Sequence, residues 1–354
     1  MKKLFALVLT LAMVLTLTAC GDQQTPDNTP DDNAANGEVL TIRLAHNSTT
    51  DENDTYHYMA LAFTEKLEEL SGGTMTTEIF PNGQYGGERE IFEATEFGTT
   101  DMSVMTNGNI GMFNAPNYAI DLPFMFADSE TAWEALDGPA GQAILDSMEA
   151  VGVKGLAYGE VGFRHMVTNK HGIKTKADFS GLKIRSLENE MYVSTYTSLG
   201  ANATPLAWTE VMSGLQQGTI DGLDIPLAII YTQNFQDLAD YLSLTGHFYN
   251  CQTMCMNLDF WNKLSAEQQA WVQEAADYSS DVQRAKLAST ESQWIDELEG
   301  KGMTVIRADE IDFDSFKTSL NEIYDSYAKS IGGTYVQDML DASAAAAAAA
   351  AAAK

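Results

Sequence analysis

The chain has 354 residues, of which 45% are hydrophobic and 20% are charged, and its formal net charge is −30. This length is enough for two lobes of ordinary domain size, each with its own hydrophobic core. Because so acidic a surface repels nucleic-acid phosphates and anionic lipid head groups, the charge argues against a nucleic-acid-binding protein.

The first twenty residues have the pattern of a secretory signal. Two lysines near the start precede an apolar run over 4–17, which is shorter than the roughly 20 residues that span a bilayer. The segment Leu17-Thr18-Ala19-Cys20 has the form of the bacterial lipobox, in which the cysteine becomes the lipidated first residue. An ordinary signal followed by a chance cysteine is the alternative. We predict a lipoprotein signal peptide at 1–19 and lipidation at Cys20.

Polar and low-complexity segments flank the body of the chain. Residues 20–38 contain nothing that builds a core, and we expect them to form a flexible, lipid-anchored tether. A lipid followed by a tether keeps a globular body beside a membrane, so we expect the protein in the periplasm or at the outer face of the cell membrane. Residues 342–354 form an alanine-rich tail, for which a helical extension is one interpretation and no function is assigned.

The first part of the body alternates between strand and helix patterns. Hydrophobic residues at every second position indicate a strand at the start, and apolar spacing of three or four indicates a helix after it. The predicted strands are 39–45, 75–80 and 101–105, and the predicted helices between them are 56–70 and 88–97. This alternation implies a parallel sheet covered by helices.

The same alternation recurs later in the chain. The predicted strands are 152–158, 163–168, 182–185 and 221–224, with helices at 196–199, 211–217 and from Pro226 onward. A nearly unbroken helical pattern then runs over 267–298. Its predicted buried stripe comprises Trp271, Ala275, Tyr278, Val282 and Ala285. At 1.5 Å per residue this helix would be about 45 Å long, which is longer than one lobe.

The motifs of common enzyme classes are absent from the sequence. It contains no Gly-x-Ser-x-Gly elbow, phosphate loop, Gly-x-Gly-x-x-Gly or His-Glu-x-x-His, and its five histidines are scattered. We therefore predict a protein that is not an enzyme and that needs no cofactor.

The two cysteines of the body, Cys251 and Cys255, lie four residues apart in a segment that favours a strand. Four residues of strand span about 13 Å, which exceeds the ~7 Å limit between the Cα atoms of a disulfide. We predict two buried free thiols and no metal site, since no histidine lies at ligand spacing from them.

Two arginines lie in strand-like segments. Arg185 ends the strand 182–185, and ligands of parallel α/β sheets bind at the carboxyl ends of strands. Its planar guanidinium can hold a carboxylate through two parallel bonds. The alternative is a surface arginine beside an acidic neighbour, and the residues alone leave both interpretations open. Arg164 has the same ambiguity.

A resemblance to a known family rests on one long segment and three shorter ones. The segment 181–227, GLKIRSLENEMYVSTYTSLGANATPLAWTEVMSGLQQGTIDGLDIPL, resembles the central signature of the DctP-type binding proteins of TRAP (tripartite ATP-independent periplasmic) transporters. The similarity covers about 40–340 in order. The supporting segments are Pro81-Asn82-Gly83-Gln84 with Gly86-Gly87-Glu88-Arg89-Glu90, Leu122-Pro123-Phe124-Met125-Phe126, and Asn257-Leu258-Asp259-Phe260-Trp261.

The resemblance implies an α/β, two-lobed periplasmic-binding-protein-like fold with hinge strands and a long helix spanning both lobes. On this reading, 39–161 forms lobe I with 251–290 returning to it, and 162–250 forms lobe II with 291–341 returning to it.

The resemblance also implies a set of ligand-binding residues. Arg185 matches the arginine that pairs with the ligand carboxylate, Arg164 matches a second cation of some members, and Trp208 matches an aromatic residue that packs on the ligand. His46 and Glu88 match positions that contact polar ligand groups. The final expected members of the set, at the end of a strand facing the cleft, are Thr106 and Asn107.

One position departs from the family pattern. The usual Asp-Gly-Gln-Glu-Asn-Pro is replaced by Asp221-Gly222-Leu223-Asp224-Ile225-Pro226. Ile225 stands where an asparagine commonly supports the bound carboxylate or a hydroxyl, so the ligand is expected to be more apolar or differently placed at that edge.

These features predict an extracytoplasmic solute-binding protein that delivers a small organic acid, a C4-dicarboxylate or sugar acid, to a sodium-driven TRAP permease. The expected partners are the ligand, the permease subunits and the membrane through the lipid anchor only, and the protein is expected to be a monomer. A solute-binding lipoprotein of an ATP-driven importer is the alternative, and a secreted hydrolase is the third.

Overall fold

The computed structural model describes residues 39–353, and the predicted signal peptide and tether lie outside the described residues. The strands are β1 (Leu40–Ala45), β2 (Met75–Phe80), β3 (Met102–Thr106), β4 (Val153–Thr168), β5 (Lys183–Ser186), β6 (Asn202–Pro205), β7 (Gly222–Pro226), β8 (Tyr241–Asn257) and β9 (Thr304–Ile306). The helices are α1 (Thr55–Leu70), α2 (Glu88–Glu96), α3 (Asn107–Ile110), α4 (Ser129–Asp137), α5 (Pro139–Ser147), α6 (Glu190–Leu199), α7 (Trp208–Gln217), α8 (Leu227–Thr232), α9 (Leu258–Lys263), α10 (Ala266–Ala288), α11 (Glu291–Gly300), α12 (Phe313–Ile331) and α13 (Tyr335–Ala353).

The strands of the described residues join in one mixed sheet, in the order β2-β1-β3-β8-β4-β7-β5-β6, with β9 paired to β8. Strand β1 lies parallel to both β2 and β3, and β5 lies parallel to both β6 and β7. The antiparallel strands β4 and β8 lie between these two parallel trios and join them. The α/β fold with two lobes and connecting strands is confirmed, and each lobe has one parallel trio at its centre.

One long strand, β4, replaces the two strands predicted at 152–158 and 163–168. Its register with β8 shifts at three places, one of them between Glu160 and Gly162, yet pairing continues on both sides of each shift. This shift is a bulge, which bends the strand without ending it.

The helix predicted over 267–298 is two helices, α10 and α11, with a break at Ser289 and Thr290. The hydroxyl of Ser289 donates to the carbonyl of Lys286 at 2.7 Å, and that of Thr290 donates to the carbonyl of Leu287 at 3.0 Å. Such local side-chain bonds compete with the helical pattern. Helix α10 packs on α1 and β4, whereas α11 packs on α8, so the two lobes share a broken helix rather than a straight one.

The predicted buried stripe of α10 is rotated from the observed one. Tyr278 is 44% exposed, and the buried positions include Val272, Ser279 and Gln283. Gln283 accepts a bond from the Glu160 backbone N–H at 2.7 Å and donates to the Glu160 carbonyl at 2.6 Å. The predicted stripe did not include these polar residues. Gln283 is nevertheless buried, because it satisfies backbone groups beside the bulge in β4.

The alanine-rich tail continues helix α13 without interruption. This helix packs against α4, and the Ser343 hydroxyl donates to the Met125 carbonyl at 2.8 Å. Ala346 is buried. The small alanine side chains therefore let a helix lie close to its neighbours.

Cys251 and Cys255 are both free and buried, as predicted. The Cys255 sulfur lies 3.3 Å from the Ser103 hydroxyl oxygen. Over residues 39–353, no group of three or more histidine, cysteine, aspartate or glutamate side chains is arranged to hold a metal ion. No helix in that range is both long and apolar enough to cross a membrane.

The crowded pairing of β7 with β4 gives a test of the sheet. A methyl group at Gly222 would overlap the carbonyl oxygen of Val167, which is backbone and has little room to move. We expect Gly222→Ala to lower the free energy of unfolding by about 1–3 kcal/mol, as overpacked cores do. Urea denaturation measures this change. The matched control is Gly300→Ala, because a methyl group there meets nothing within 4 Å; equal stability of the two variants would contradict the packing argument.

Candidate functional site

A cleft lies where the two parallel trios face each other, with about 430 Å³ of empty space. Both lobes and both connecting strands supply its walls. The lining residues are Asn47, Ser48, Tyr56, Glu88, Thr106, Asn109, Val161, Arg164, Arg185, Leu187, Trp208, Ile225, Pro226, Ile229, Gln233 and Asn250.

Arg185 is a buried cation without an acidic partner. Its side chain, on β5, is only 2% exposed. Its Nε donates to the Leu206 carbonyl at 2.9 Å, and its guanidinium carbon lies 5.7 Å from the centre of the Trp208 ring. Throughout residues 39–353, no carboxylate oxygen lies within ion-pair distance of it. Burial, followed by the nearby charge of Arg164, lowers the pKa of Arg185 to about 10, so it stays charged at neutral pH and attracts an anion.

Arg164 lies on the same wall but is already neutralised. Its Nε contacts the Asp224 carboxylate at 2.5 Å, a second nitrogen contacts the other Asp224 oxygen at 3.2 Å, and a third donates to Asn250 at 2.8 Å. Burial alone would raise the pKa of Asp224, but the charge of Arg164 holds it below its ordinary value. The two arginines therefore differ in what they leave available for a ligand.

Glu88 is the carboxylate of the cleft. It stands at the start of α2 and is 6% exposed. Both the backbone N–H and the hydroxyl of Thr106 donate to one of its oxygens at 2.8 Å, and the side-chain amide of Asn109 donates to the other. Burial raises the pKa of Glu88, while these three donors oppose that shift. Glu88 thus presents hydrogen-bond acceptors in the cleft.

Part of the cleft beside the two arginines is apolar. Trp208 at the start of α7 and Ile225 on β7 both line the cleft, together with Val161, Leu187, Pro226 and Ile229. Ile225 is buried and pairs with His165 of β4. The isoleucine that departs from the family pattern is therefore part of a continuous hydrophobic surface.

His46 and Asn107 do not line the cleft, although their chain neighbours do. The Nε2 of His46 lies 3.1 Å from Nδ1 of His57, and burial lowers the pKa of His46 to about 3. The Asn107 amide donates to the Asn117 carbonyl at 2.9 Å and contacts Asp121. The chain changes direction at both places, because His46 and Asn47 follow the end of β1 and Asn107 begins α3 directly after β3. Asn47 and Thr106 therefore line the cleft, while the side chains of His46 and Asn107 are buried in contacts away from it.

Several lining residues were not predicted from the sequence. The polar residues among them are Asn47, Ser48, Tyr56, Asn109, Gln233 and Asn250. Asn47, Ser48 and Asn109 lie just beyond the carboxyl ends of β1 and β3, where ligands of parallel sheets bind. Their position relative to the predicted strands was the available signal.

The chain was compared with known proteins. The family model described as DctP, bacterial extracellular solute-binding protein, family 7, matches residues 46–330. A solute-binding protein of Verminephrobacter eiseniae is 35% identical over 303 residues, which cover 85% of this chain and 89% of that protein.

Two solved structures are similar over their whole length. A TRAP periplasmic solute-binding protein of Polaromonas sp. JS666, bound to D-erythronate, has a TM-score of 0.81 and 32% identity, and the match covers 85% of this chain and 98% of that one. The sugar-acid-binding protein of Advenella mimigardefordensis, in complex with galactonate, has a TM-score of 0.83 and 28% identity, with 87% and 99% covered.

The buried ion pair between Arg164 and Asp224 predicts a loss of stability when one partner is neutralised. We expect Asp224→Asn to cost about 3–5 kcal/mol, since it leaves a buried guanidinium uncompensated. Because the pKa of Asp224 is lowered from 3.8, the stabilisation is present above that pH and is lost as the pH falls through the lowered value. Unfolding curves at pH 7 and at lower pH measure both effects.

The matched control is Asp146→Asn, which removes an exposed partner of Lys154 at 3.6 Å. A surface pair of this kind contributes about 1 kcal/mol or less. An Asp224 variant no less stable than this control would show that the buried pair does not stabilise the fold.

Proposed function

This chain belongs to the DctP family of bacterial extracellular solute-binding proteins, and we propose that it captures a small organic acid through Arg185 and delivers it to a sodium-driven TRAP permease. The observation that carries the proposal is the unpaired guanidinium of Arg185 in an enclosed cleft between two lobes. A buried charge without a partner is costly. A ligand carboxylate can offset that cost through two charge-assisted hydrogen bonds.

The comparisons support an organic acid as the ligand. The Polaromonas protein is bound to D-erythronate and the Advenella protein is in complex with galactonate. Each of these ligands carries one carboxylate. C4-dicarboxylates and sugar acids are the two ligand classes expected from the sequence. Both solved relatives are described as TRAP or sugar-acid binding proteins, which favours a TRAP permease over an ATP-driven importer. Binding without catalysis is part of the proposal, because the family is one of solute-binding proteins.

We propose that the two lobes close about the centre of the β4–β8 pair. The boundaries predicted from the sequence, at 161/162 and 250/251, fall where Gly162 faces Asn250 across that pair. The residues around this point also line the cleft, as Val161, Arg164 and Asn250 do. Bending of two paired strands there would open and close the site.

The anchoring of the protein is a further part of the proposal. Lipidation of Cys20 and a tether over 20–38 would hold the binding domain at the extracytoplasmic face of a membrane. We also propose a monomer as the working unit.

Substitutions at Arg185 test the proposed carboxylate contact. Lysine keeps the charge but loses the planar fork, whereas alanine loses both. Charge-assisted bonds contribute about 1.5–3 kcal/mol each. We therefore expect Arg185→Ala to weaken binding of the cognate acid by about 10²- to 10⁴-fold, with an intermediate loss for Arg185→Lys.

Isothermal titration calorimetry with organic acids found by a thermal-shift screen measures these affinities. The matched control is Arg307→Ala, which removes an exposed arginine paired with Glu299 at 2.7 Å and should leave binding unchanged. Binding by Arg185→Ala within threefold of the wild type would exclude Arg185 as the carboxylate contact.

Labelling with an alkyne-tagged fatty acid tests lipidation. The wild-type chain should incorporate the label and Cys20→Ala should not, because the lipobox cysteine is the acceptor. Cys251→Ala is the control and should remain labelled, since that thiol is buried in the folded body. Undiminished labelling of the Cys20 variant would contradict the anchor.

A further inference from the structure

The charges around the cleft can be counted. Three lining residues have acidic or basic side chains, namely Glu88, Arg164 and Arg185. Asp224 neutralises Arg164 through two contacts. Burial lowers the pKa of His165 to about 3 and that of His247 to about 4, so neither histidine adds a positive charge at neutral pH. Among the residues that line the cleft, Arg185 alone offers a positive charge that is not already paired.

A second carboxylate on the ligand would find no cation. Away from Arg185, the lining is apolar, neutral and polar, or the carboxylate of Glu88. Glu88 already receives three hydrogen bonds from Thr106 and Asn109, which hold its oxygens as acceptors. Placing a ligand carboxylate near Glu88 sets two like charges together in a buried site, which is strongly unfavourable.

The cleft also has an acceptor that lacks a donor. The side-chain oxygen of Asn109 is buried without a hydrogen-bond partner, and the residue is 7% exposed. Its amide group is already committed to Glu88. A carboxylate has no proton to donate to Asn109 or Glu88, whereas a hydroxyl group has one.

The cleft holds one unpaired donor as well. The side-chain nitrogen of Gln233 is buried without a partner, and the residue lines the same cleft. A hydroxyl group both donates and accepts. A hydroxylated ligand therefore suits a site that presents the unpaired oxygen of Asn109 and the unpaired nitrogen of Gln233.

From this arrangement we infer that the ligand is a hydroxylated monocarboxylate and that Glu88 excludes dicarboxylates. The inference rests on the proposed function, because it assumes that Arg185 holds the single carboxylate. The hydroxyl groups face the Glu88 and Asn109 side of the cleft, and the carbon skeleton lies along the wall of Trp208 and Ile225.

Matched ligand pairs test this selectivity in the wild-type protein. Threonate and tartrate have the same four-carbon skeleton, and tartrate carries a second carboxylate in place of the terminal hydroxymethyl group of threonate. Galactonate and galactarate differ in the same way with six carbons. We expect the monocarboxylate of at least one pair to bind about 100-fold more tightly than its dicarboxylate, as two like charges in a buried site require. Butyrate, which lacks hydroxyl groups, should bind more weakly than threonate.

A variant separates the role of Glu88 from that of the arginine. Glu88→Gln keeps the size of the side chain and replaces a negative group with one that can donate to a second carboxylate. It should narrow the difference within the discriminated pair to about tenfold or less, mainly by strengthening the dicarboxylate. The matched control is Glu90→Gln, an exposed glutamate on the same helix, which should preserve the wild-type ratio.

Calorimetry on the four ligands, butyrate and both variants distinguishes the outcomes. Dicarboxylates that bind as tightly as monocarboxylates, with affinity still dependent on Arg185, would overturn this inference and leave the proposed function intact. Equal binding of butyrate and threonate would overturn the hydroxyl requirement. If neither these ligands nor a broad panel of organic acids bound the folded wild-type protein, the proposed function would fail with it.

Discussion

Burial of the Arg185 guanidinium between the lobes is the constraint on which the binding site depends. The protein offsets part of the cost with the Leu206 carbonyl and the Trp208 ring, neither of which carries a negative charge. The neighbouring Arg164 has a full partner in Asp224. This contrast matters because two unpaired guanidinium groups would repel each other. By neutralising Arg164 internally, the fold keeps a single positive charge for the ligand without accumulating a second.

The two connecting strands link this local arrangement to the architecture. Val161 is the extra residue of the bulge in β4, and Arg164 follows a few residues later on the same strand; both line the cleft. Gln283 of α10 completes the hydrogen bonds of the bulged backbone at Glu160. A helix that spans toward the second lobe thus supports the irregular strand from behind. The irregularity lies next to the site, where it directs side chains inward and where the lobes would bend.

Sequence patterns predicted the three strands of the first parallel trio, because hydrophobic alternation reports the faces of strands such as β1 and β2. In the second trio they predicted β5 and β7 but not β6. They failed where polar residues perform structural work in the interior. Gln283 and Ser279 of α10 are buried, although the stripe of α10 predicted to be buried did not include them. The candidate site shows the same limit. Arg185 and Trp208 line the cleft, but His46 and Asn107, each just beyond the end of a strand, do not. One-residue shifts of this kind depend on tertiary geometry that similarity by position does not contain.

The acidity of the chain and the basicity of its site act over different distances. At physiological ionic strength, surface charges are screened beyond about 8 Å. The net charge of −30 therefore acts mainly near the surface, where it disfavours association with anionic membranes and nucleic acid. Inside the cleft, the burial of Arg185 strengthens its field at short range. An anion that has crossed the screened surface meets a positive charge held in place before it arrives, so capture depends on the local cation rather than on the total charge. For the same reason the buried acid Glu88 acts on selectivity far more than any exposed glutamate of the surface.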